Sequence, residues 1–322
     1  MFNDDMLMAT SSSRKHIDLI LKVARSYYLD NMTQAEIARD IGYSRPTVSR
    51  LLKESRDCGI VHISIGHALE RIRVLEERLK KRYGLKYARV AEVAPGEESR
   101  QIVPRYAAAL FAEVCAPDSL ITVSNGGAVA ATVREVPVCD WPKANVAQMI
   151  GTLSPENTMT DSPDICRLLA QRIGGTFTTL PVPMILSSPE LADAMRKEPQ
   201  IATALALGGG ADVAIVGVGA VTKVRSGHIF DAYIDQRKAA DLLEHGVVGH
   251  ICGHHIDREG NHVLTELCRR TISIDIERLK RIPLVIGVAW GPLKVPAIRA
   301  CLIGGLISAM VTDQATAEAL LE

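Results

Sequence analysis

Residues 33–52 read TQAEIARDIGYSRPTVSRLL, and the spacing of residue types in this run decides the fold of the N-terminal part of the chain. Thr33 followed by Glu36 is a capping-box pattern, in which each side chain satisfies a backbone N–H that a helix start leaves open. Ile37, Ala38 and Ile41 supply one apolar face, with small Ala38 where a second helix must pass closely. Gly42 stands where a tight turn needs a residue tolerant of positive φ. Ser44 is a good N-cap, and Pro46 is tolerated in a first helical turn. Val48, Leu51 and Leu52 return to the core. Two short helices joined this way form a helix-turn-helix, whose second helix enters the DNA major groove.

The side chains left facing outward are polar and basic. Arg45 and Arg50 can each donate two bonds to guanine or one to a phosphate, and Thr47 can offer its methyl to thymine. The candidate DNA-contacting set is Thr33, Gln34, Ser44, Arg45, Thr47, Ser49, Arg50 and Lys53. The alternative is a plain helical hairpin with solvated charges.

Moving outward, residues 1–13 are rich in Ser, Met and Asp and are expected to form a disordered tail. Ile17, Ile20, Leu21, Ala24 and Tyr28 recur at helical spacing, so a DNA-binding domain over residues 14–66 is expected. Its apolar run at 60–65 is either a wing bringing His62 or Ser64 to phosphate or a strand that closes the domain. Leu69, Ile72, Leu75 and Leu79 form a narrow apolar seam in a charged background. Residues 67–84 therefore read as a linker or oligomerisation helix, ended by Gly84. From Arg14 to Arg82 there are fifteen Lys/Arg against nine Asp/Glu, in a chain of zero net charge. A basic front on a mildly acidic body fits phosphate binding by the front alone.

From Leu85 to Glu322 the pattern is β, α, β, α. Apolar strand-like runs occur at 88–93, 120–123, 146–150, 213–216, 284–288 and 307–311, with helical patterns at 100–114, 128–136, 165–173, 237–244 and 296–302. Continuous apolar strands between amphipathic helices predict a mainly parallel sheet covered on both faces. The fold class is thus α/β, with an N-terminal helix-turn-helix of winged-helix type. The seven cysteines are scattered and no C-x-x-C occurs, as expected of reduced cytoplasmic thiols. Signal-peptide and membrane-spanning patterns are missing, and aromatics at 4% offer no stacking platform for single strands.

Ligands of open parallel sheets sit beyond the carboxyl ends of strands. Ser124, Asn125, Gly126, Gly127 and Ala128 follow one strand and open a helix, where small residues let backbone N–H groups approach an anion. Gly291, Pro292, Leu293 and Lys294 follow another, with Lys294 a point charge at the head of the next helix. Gly217-Val218-Gly219 begins like a dinucleotide fingerprint but lacks its third glycine, and reads as a close-packing turn. His250, Cys252, His254, His255 and His262 invite a zinc reading, since strand alternation would put His250, Cys252 and His254 on one face.

Four blocks carry a resemblance covering nearly the whole chain: MTQAEIARDIGYSRPTVSRLLKESRDCGIVHISI (32–65), ADVAIVGVGAV (211–221), VVGHICGHHIDREGN (247–261) and GVAWGPLKVPAIRACLIGGLISAMVTDQATAEALL (287–321). The chain resembles the SorC-type family of sugar-responsive bacterial transcriptional regulators. The resemblance implies an effector domain related in fold to sugar-phosphate isomerases and deaminases, a phosphorylated sugar or polyol as effector, and a homotetramer that loosens from operator DNA when effector binds. It implies that Lys294 contacts the ligand phosphate and that Gly151 and Thr152 belong to a ligand-facing loop, although a second glycine is missing here. It implies no metal and no cofactor. Two residues depart from the family pattern: His250 stands where relatives carry an acid that holds sugar hydroxyls, and Val129 where relatives often carry Thr. The expected effector site is Ser124, Asn125, Gly126, Gly127, Ala128, Gly151, Thr152, His250 and Lys294.

A ligand-responsive regulator, not an enzyme, is the expectation. An isomerase- or deaminase-like enzyme would need a placed carboxylate base, and the sequence offers no convincing acid/base pair. A constitutive DNA binder with a degenerate effector pocket is the third reading, kept open by Val129 and His250.

Overall fold

The computed structural model describes residues 4–61, 68–94, 96–153, 160–222, 230 and 233–322. The chain divides into two compact units, residues 1–67 and 68–322. The expected wing strand falls largely outside the described residues, His62 and Ser64 included.

The first unit holds α1 (Asp4–Tyr28), α2 (Gln34–Ile41) and α3 (Arg45–Asp57). The helix α1 begins upstream of Arg14. Ile20, Val23, Ile37, Val48, Leu51 and Leu52 are all nearly solvent-free and form one small core. Local chemistry sets the helix limits. Glu36 N–H donates to Thr33 Oγ1 (3.3 Å) while Thr33 N–H donates to Glu36 Oε2 (2.8 Å), which completes the capping box. Gly42 ends α2 at φ 71°, and Ser44 Oγ accepts the Thr47 N–H (3.4 Å) to open α3. A Cβ at position 42 would meet nothing within 4 Å, so glycine is needed there for its dihedral angles and not for room.

The second unit is an α/β domain. Its strands are β1 (Tyr87–Ala91), β2 (Leu120–Val123), β3 (Asn145–Gln148), β4 (Thr176–Thr178), β5 (Val213–Ala220), β6 (Gly249–Ile251), β7 (His254–Ile256), β8 (Leu284–Val288) and β9 (Ala309–Asp313). Its helices are α4 (Ala68–Tyr83), α5 (Ser99–Val114), α6 (Gly127–Glu135), α7 (Ser162–Ile173), α8 (Pro189–Lys197), α9 (Pro199–Gly209), α10 (Gln236–Glu244), α11 (Glu266–Arg270), α12 (Ile276–Arg281), α13 (Val295–Ile303) and α14 (Gln314–Leu321). Seven strands are parallel in the order β1-β9-β8-β5-β2-β3-β4, and the apolar runs predict all of them except β4. The β6–β7 hairpin hangs antiparallel from the end of β5.

Burial explains why these strands are apolar throughout. Along β5, Val213 and Ile215 join the core under α5, α6 and α7, while Ala214, Val216 and Val218 join the core under α4, α9, α13 and α14. Both faces of the sheet are therefore dry, and each buried Val or Ile contributes roughly 1.5–3 kcal/mol. Ile72, Leu75 and Leu79 of the α4 seam are buried in the second of these cores, which makes α4 a docking helix of the larger unit.

From β2 the chain moves outward to β3 and β4. It then returns to place β5 on the other side of β2 and continues toward β8 and β9. The sheet thus reverses direction between β2 and β5. Such a switch point opens a crevice beyond the carboxyl ends of the two strands, where ligands of α/β sheets bind.

Candidate functional site

In the first unit α3 is amphipathic. Val48, Leu51, Leu52 and Ser55 are buried, and the opposite arc carries exposed Arg45, Ser49, Arg50 and Lys53. Among the described residues no ion pair holds Arg45, Arg50 or Lys53. Two ion pairs among the described residues tie α1 to its neighbouring helices, Lys22 with Asp40 at 2.9 Å and His16 with Glu54 at 2.7 Å. Gln34 and Thr47 are half-buried, and Thr33 and Ser44 are exposed. The hydroxyls of Thr33 and Ser44 already serve as helix caps, so they shape the reading face as well as lying at its edge.

In the second unit the crevice at the β2/β5 switch point is a cavity of about 90 Å³. It brings together Ser124, Asn125, Gly126, Gly127, Ala128, His250 and Lys294 from the expected set. Gly126 adopts φ 109°, ψ 161°, and Gly291, at the equivalent place after β8, adopts φ 99°, ψ 148°. This region is essentially closed to residues with a Cβ. The two glycines let β2 and β8 turn directly into helices that start at the crevice. The N–H groups of Gly127, Ala128 and Val129 precede the first intrahelical bond of α6, from Ala130 N–H to Gly126 C=O (3.0 Å). Helix starts of this kind attract anions through their free donors and dipole.

Lys294 is the one formally charged residue in the lining, and no carboxylate lines the cavity among the described residues. Burial pushes the Lys294 ammonium below its ordinary value, and its Nζ lies 5.8 Å from the centre of the Trp290 ring. Ser124 is almost fully buried and its Oγ accepts the Gly217 N–H (3.3 Å), which fixes the floor between β2 and β5. Val129 is fully buried in the core behind the helix start. His250 stacks edge-on against Phe230 at 4.8 Å.

Three sequence expectations need correction. Gly151 and Thr152 do not reach the cavity. Both are built into a crossing of backbone segments, with Gly151 N–H on Ile272 C=O (2.9 Å) and Thr152 N–H on Val182 C=O (2.9 Å). A Cβ at Gly151 would lie 2.8 Å from the Met184 backbone, so packing by itself requires glycine here. Second, residues 217–219 are part of the long strand β5 and not a turn, and they line the cavity. A Cβ at 219 would collide with the His250 ring, so the glycine there makes room for the histidine.

Third, the histidine run does not alternate along one strand. Cys252 (φ 49°) and Gly253 (φ 79°) form a tight two-residue turn of the type that suits hairpins, pairing His250 with His255 and Ile251 with His254. The turn leaves His250 and Cys252 at the crevice and carries His254 away to a different cavity, beside His262. A cysteine at positive φ gives no local signal of a turn, which is why alternation misleads here. Cys252, Gly217, Val218 and Gly219 are the lining residues that the expected site leaves out.

A basic, unpaired helix face after a glycine turn, joined in one chain to a doubly wound domain with an anion-type crevice at its switch point, defines a ligand-responsive DNA-binding regulator. Comparison with known proteins gives the same class. Residues 67–322 match the family described as "Putative sugar-binding domain". The sorbitol operon regulator of Klebsiella pneumoniae is 33% identical over 317 residues, spanning 95% of this chain and 98% of that one. The deoxyribonucleoside regulator of Bacillus subtilis (strain 168) is 28% identical over 311 residues, spanning 96% and 98%. The crystal structure of the full-length sorbitol operon regulator SorC from Klebsiella pneumoniae matches with a TM-score of 0.76 at 31% identity, covering 95% of this chain and 99% of that chain. The chain belongs to the SorC-type family of sugar-binding transcriptional regulators. Among the described residues no helix is long and apolar enough to cross a membrane.

Proposed function

We propose that the protein is an operator-binding regulator of a carbohydrate or polyol pathway whose effector is a phosphorylated sugar or polyol held in the β2/β5 crevice. The carrying observation is the chemistry of the lining among the described residues: the free N–H groups that open α6, one lysine and no carboxylate. An anion placed there meets donors on one side and Lys294 on the other, while His250 and Asn125 offer hydrogen bonds to hydroxyls. A cavity of about 90 Å³ suits a phosphate group, so the polyol portion extends from it toward His250. An acid/base enzyme is disfavoured for the same reason, since a sugar isomerase needs a carboxylate or equivalent base at the reacting carbons.

At the other end of the chain, Arg45, Arg50 and Lys53 contact DNA, with Ser49, Thr47 and Gln34 beside them. The heads act in pairs within a homotetramer, so effector and operator bias one equilibrium and their affinities are reciprocally linked. The test is a thermal-shift screen of sugars, polyols and their phosphates on the wild type and on Lys294→Ala, followed by operator gel shifts with each hit. A phosphorylated compound should raise Tm in the wild type, do so far less in Lys294→Ala, and change operator binding. Equal responses from the two proteins would remove the phosphate assignment. Turnover of a hit would restore the enzyme reading.

A further inference from the structure

A second cavity of the effector domain, about 710 Å³, carries His254, His262 and Cys268 in its wall. One ring nitrogen of each histidine and the Cys268 sulfur lie within 4.8 Å of one another. The three come from separate pieces of chain: β7, the turn that follows it, and α11. Neither the crevice nor the reading face uses them.

The second observation is the state of His254. The residue is buried, at 7% exposure, and its Nε2 sits 2.8 Å from both Ser273 Oγ and Ile274 C=O. Only a protonated Nε2 can donate to a carbonyl. The other nitrogen, Nδ1, is then a bare lone pair, buried and without a hydrogen-bond partner. Metal-binding histidines are commonly held this way, with one nitrogen anchored on a backbone carbonyl and the other presented. Around the sulfur, the His255 backbone N–H (3.4 Å) and the Thr265 hydroxyl (3.2 Å) both donate to Cys268 Sγ, and the Val263 carbonyl (3.7 Å) and His255 Nδ1 (3.5 Å) lie beside it. The rings of His254 and His262 meet edge-on at 4.8 Å.

We propose that His254, His262 and Cys268 form a binding site for a borderline-soft divalent cation of the zinc type, with a fourth position open to the cavity. Two imidazoles and a thiolate select zinc and its neighbours over magnesium or calcium, which take oxygen donors. Bonds of about 2.0–2.3 Å require the three donors to close by roughly 1 Å, which the exposed His262 on its turn can supply. On loading, the Cys268 thiol gives its proton to solvent and its sulfur bonds the cation. The cation would staple the hairpin that carries His250 and Cys252 to α11.

The test uses the full chain, stripped of metal with a chelator and titrated with Co²⁺, whose thiolate charge-transfer absorption reports a sulfur ligand directly. The expected result is one saturable equivalent with that absorption, displaced by Zn²⁺ and accompanied by a rise in Tm. Cys268→Ser should abolish the absorption. His262→Gln, at an exposed position that does not endanger folding, should weaken Co²⁺ binding at least tenfold. Three results would each overturn the proposal: no saturable absorption in the wild type, undiminished absorption in Cys268→Ser, arising then from another thiol such as exposed Cys58, or wild-type Co²⁺ affinity in His262→Gln.

Discussion

The head and the effector crevice present positive potential by opposite means. On α3 the cations are exposed and without an ion pair among the described residues, and Arg45, Arg50 and Lys53 spread over a wide arc. In the crevice a single lysine, partly desolvated, works beside backbone N–H groups fixed by two glycines in a conformation other residues avoid. The difference teaches that charge in water acts at long range, tolerates small displacements and is screened by salt. Charge in a cleft acts over one bond length, depends on geometry and is screened little.

Salt should separate the two sites most. If paired heads neutralise roughly 6–10 phosphates, operator affinity should fall about 10³–10⁵-fold between about 50 and 200 mM salt. Effector affinity, measured calorimetrically over the same range, should change by less than about tenfold. Comparable slopes at the two sites would break the contrast. Next in size, Lys294→Ala removes a charge-assisted contact of about 1.5–3 kcal/mol, so effector affinity should drop roughly ten- to a hundredfold. Operator affinity without effector should stay unchanged in that variant. Arg50→Ala should do the reverse, lowering operator affinity by about 1–3 kcal/mol while leaving the effector-induced Tm shift intact.

A pH titration sharpens the contrast within the second unit. Burial lowers the pKa values of His254 and His255 to about 4, from 6.5. The unfolded chain therefore binds more protons than the folded one as pH falls below 6.5. Stability should decline between about pH 6.5 and 4, by at most about 1.4 kcal/mol per pH unit for each histidine. Denaturant unfolding read separately for each unit checks this: the loss should belong to the effector domain, because both histidines lie in it and the head has no buried histidine among the described residues. The smallest effect is expected from Thr33→Ala, which removes the α2 cap and should destabilise the head alone by about 1 kcal/mol.

The same contrast governs how much was legible in the sequence. The head is local chemistry. Thr33, Glu36, Gly42 and Ser44 act on backbone groups within four residues of themselves, so spacing alone reveals both helices and the turn. The sheet is legible because β2, β5, β8 and β9 are buried on both faces and must be apolar. β4 is half-exposed at the sheet edge and carries no such signature. Ser124 to Ala128 and Lys294 are found because a strand end followed by small residues is itself local. Gly151 and Thr152 share that local pattern, yet the partners that occupy them, Val182, Met184 and Ile272, are far away in sequence. The fate of the histidines turned on one cysteine in a left-handed conformation, and the part played by Cys268 beside His254 depends on α11, which no periodicity connects to β7.

The arrangement of α4 carries one more consequence. Its Glu76 accepts the Val90 N–H (2.9 Å) and Tyr83 at its end donates to the Leu320 carbonyl (2.6 Å), while β1 pairs with β9 next to last in the fold. The helix α4 is thus seated on α14, at the other end of the effector domain's sequence. A ribosome must pass α14 before α4 has its full seat, and losing the last turn of α14 would unseat α4, 237 positions away along the chain.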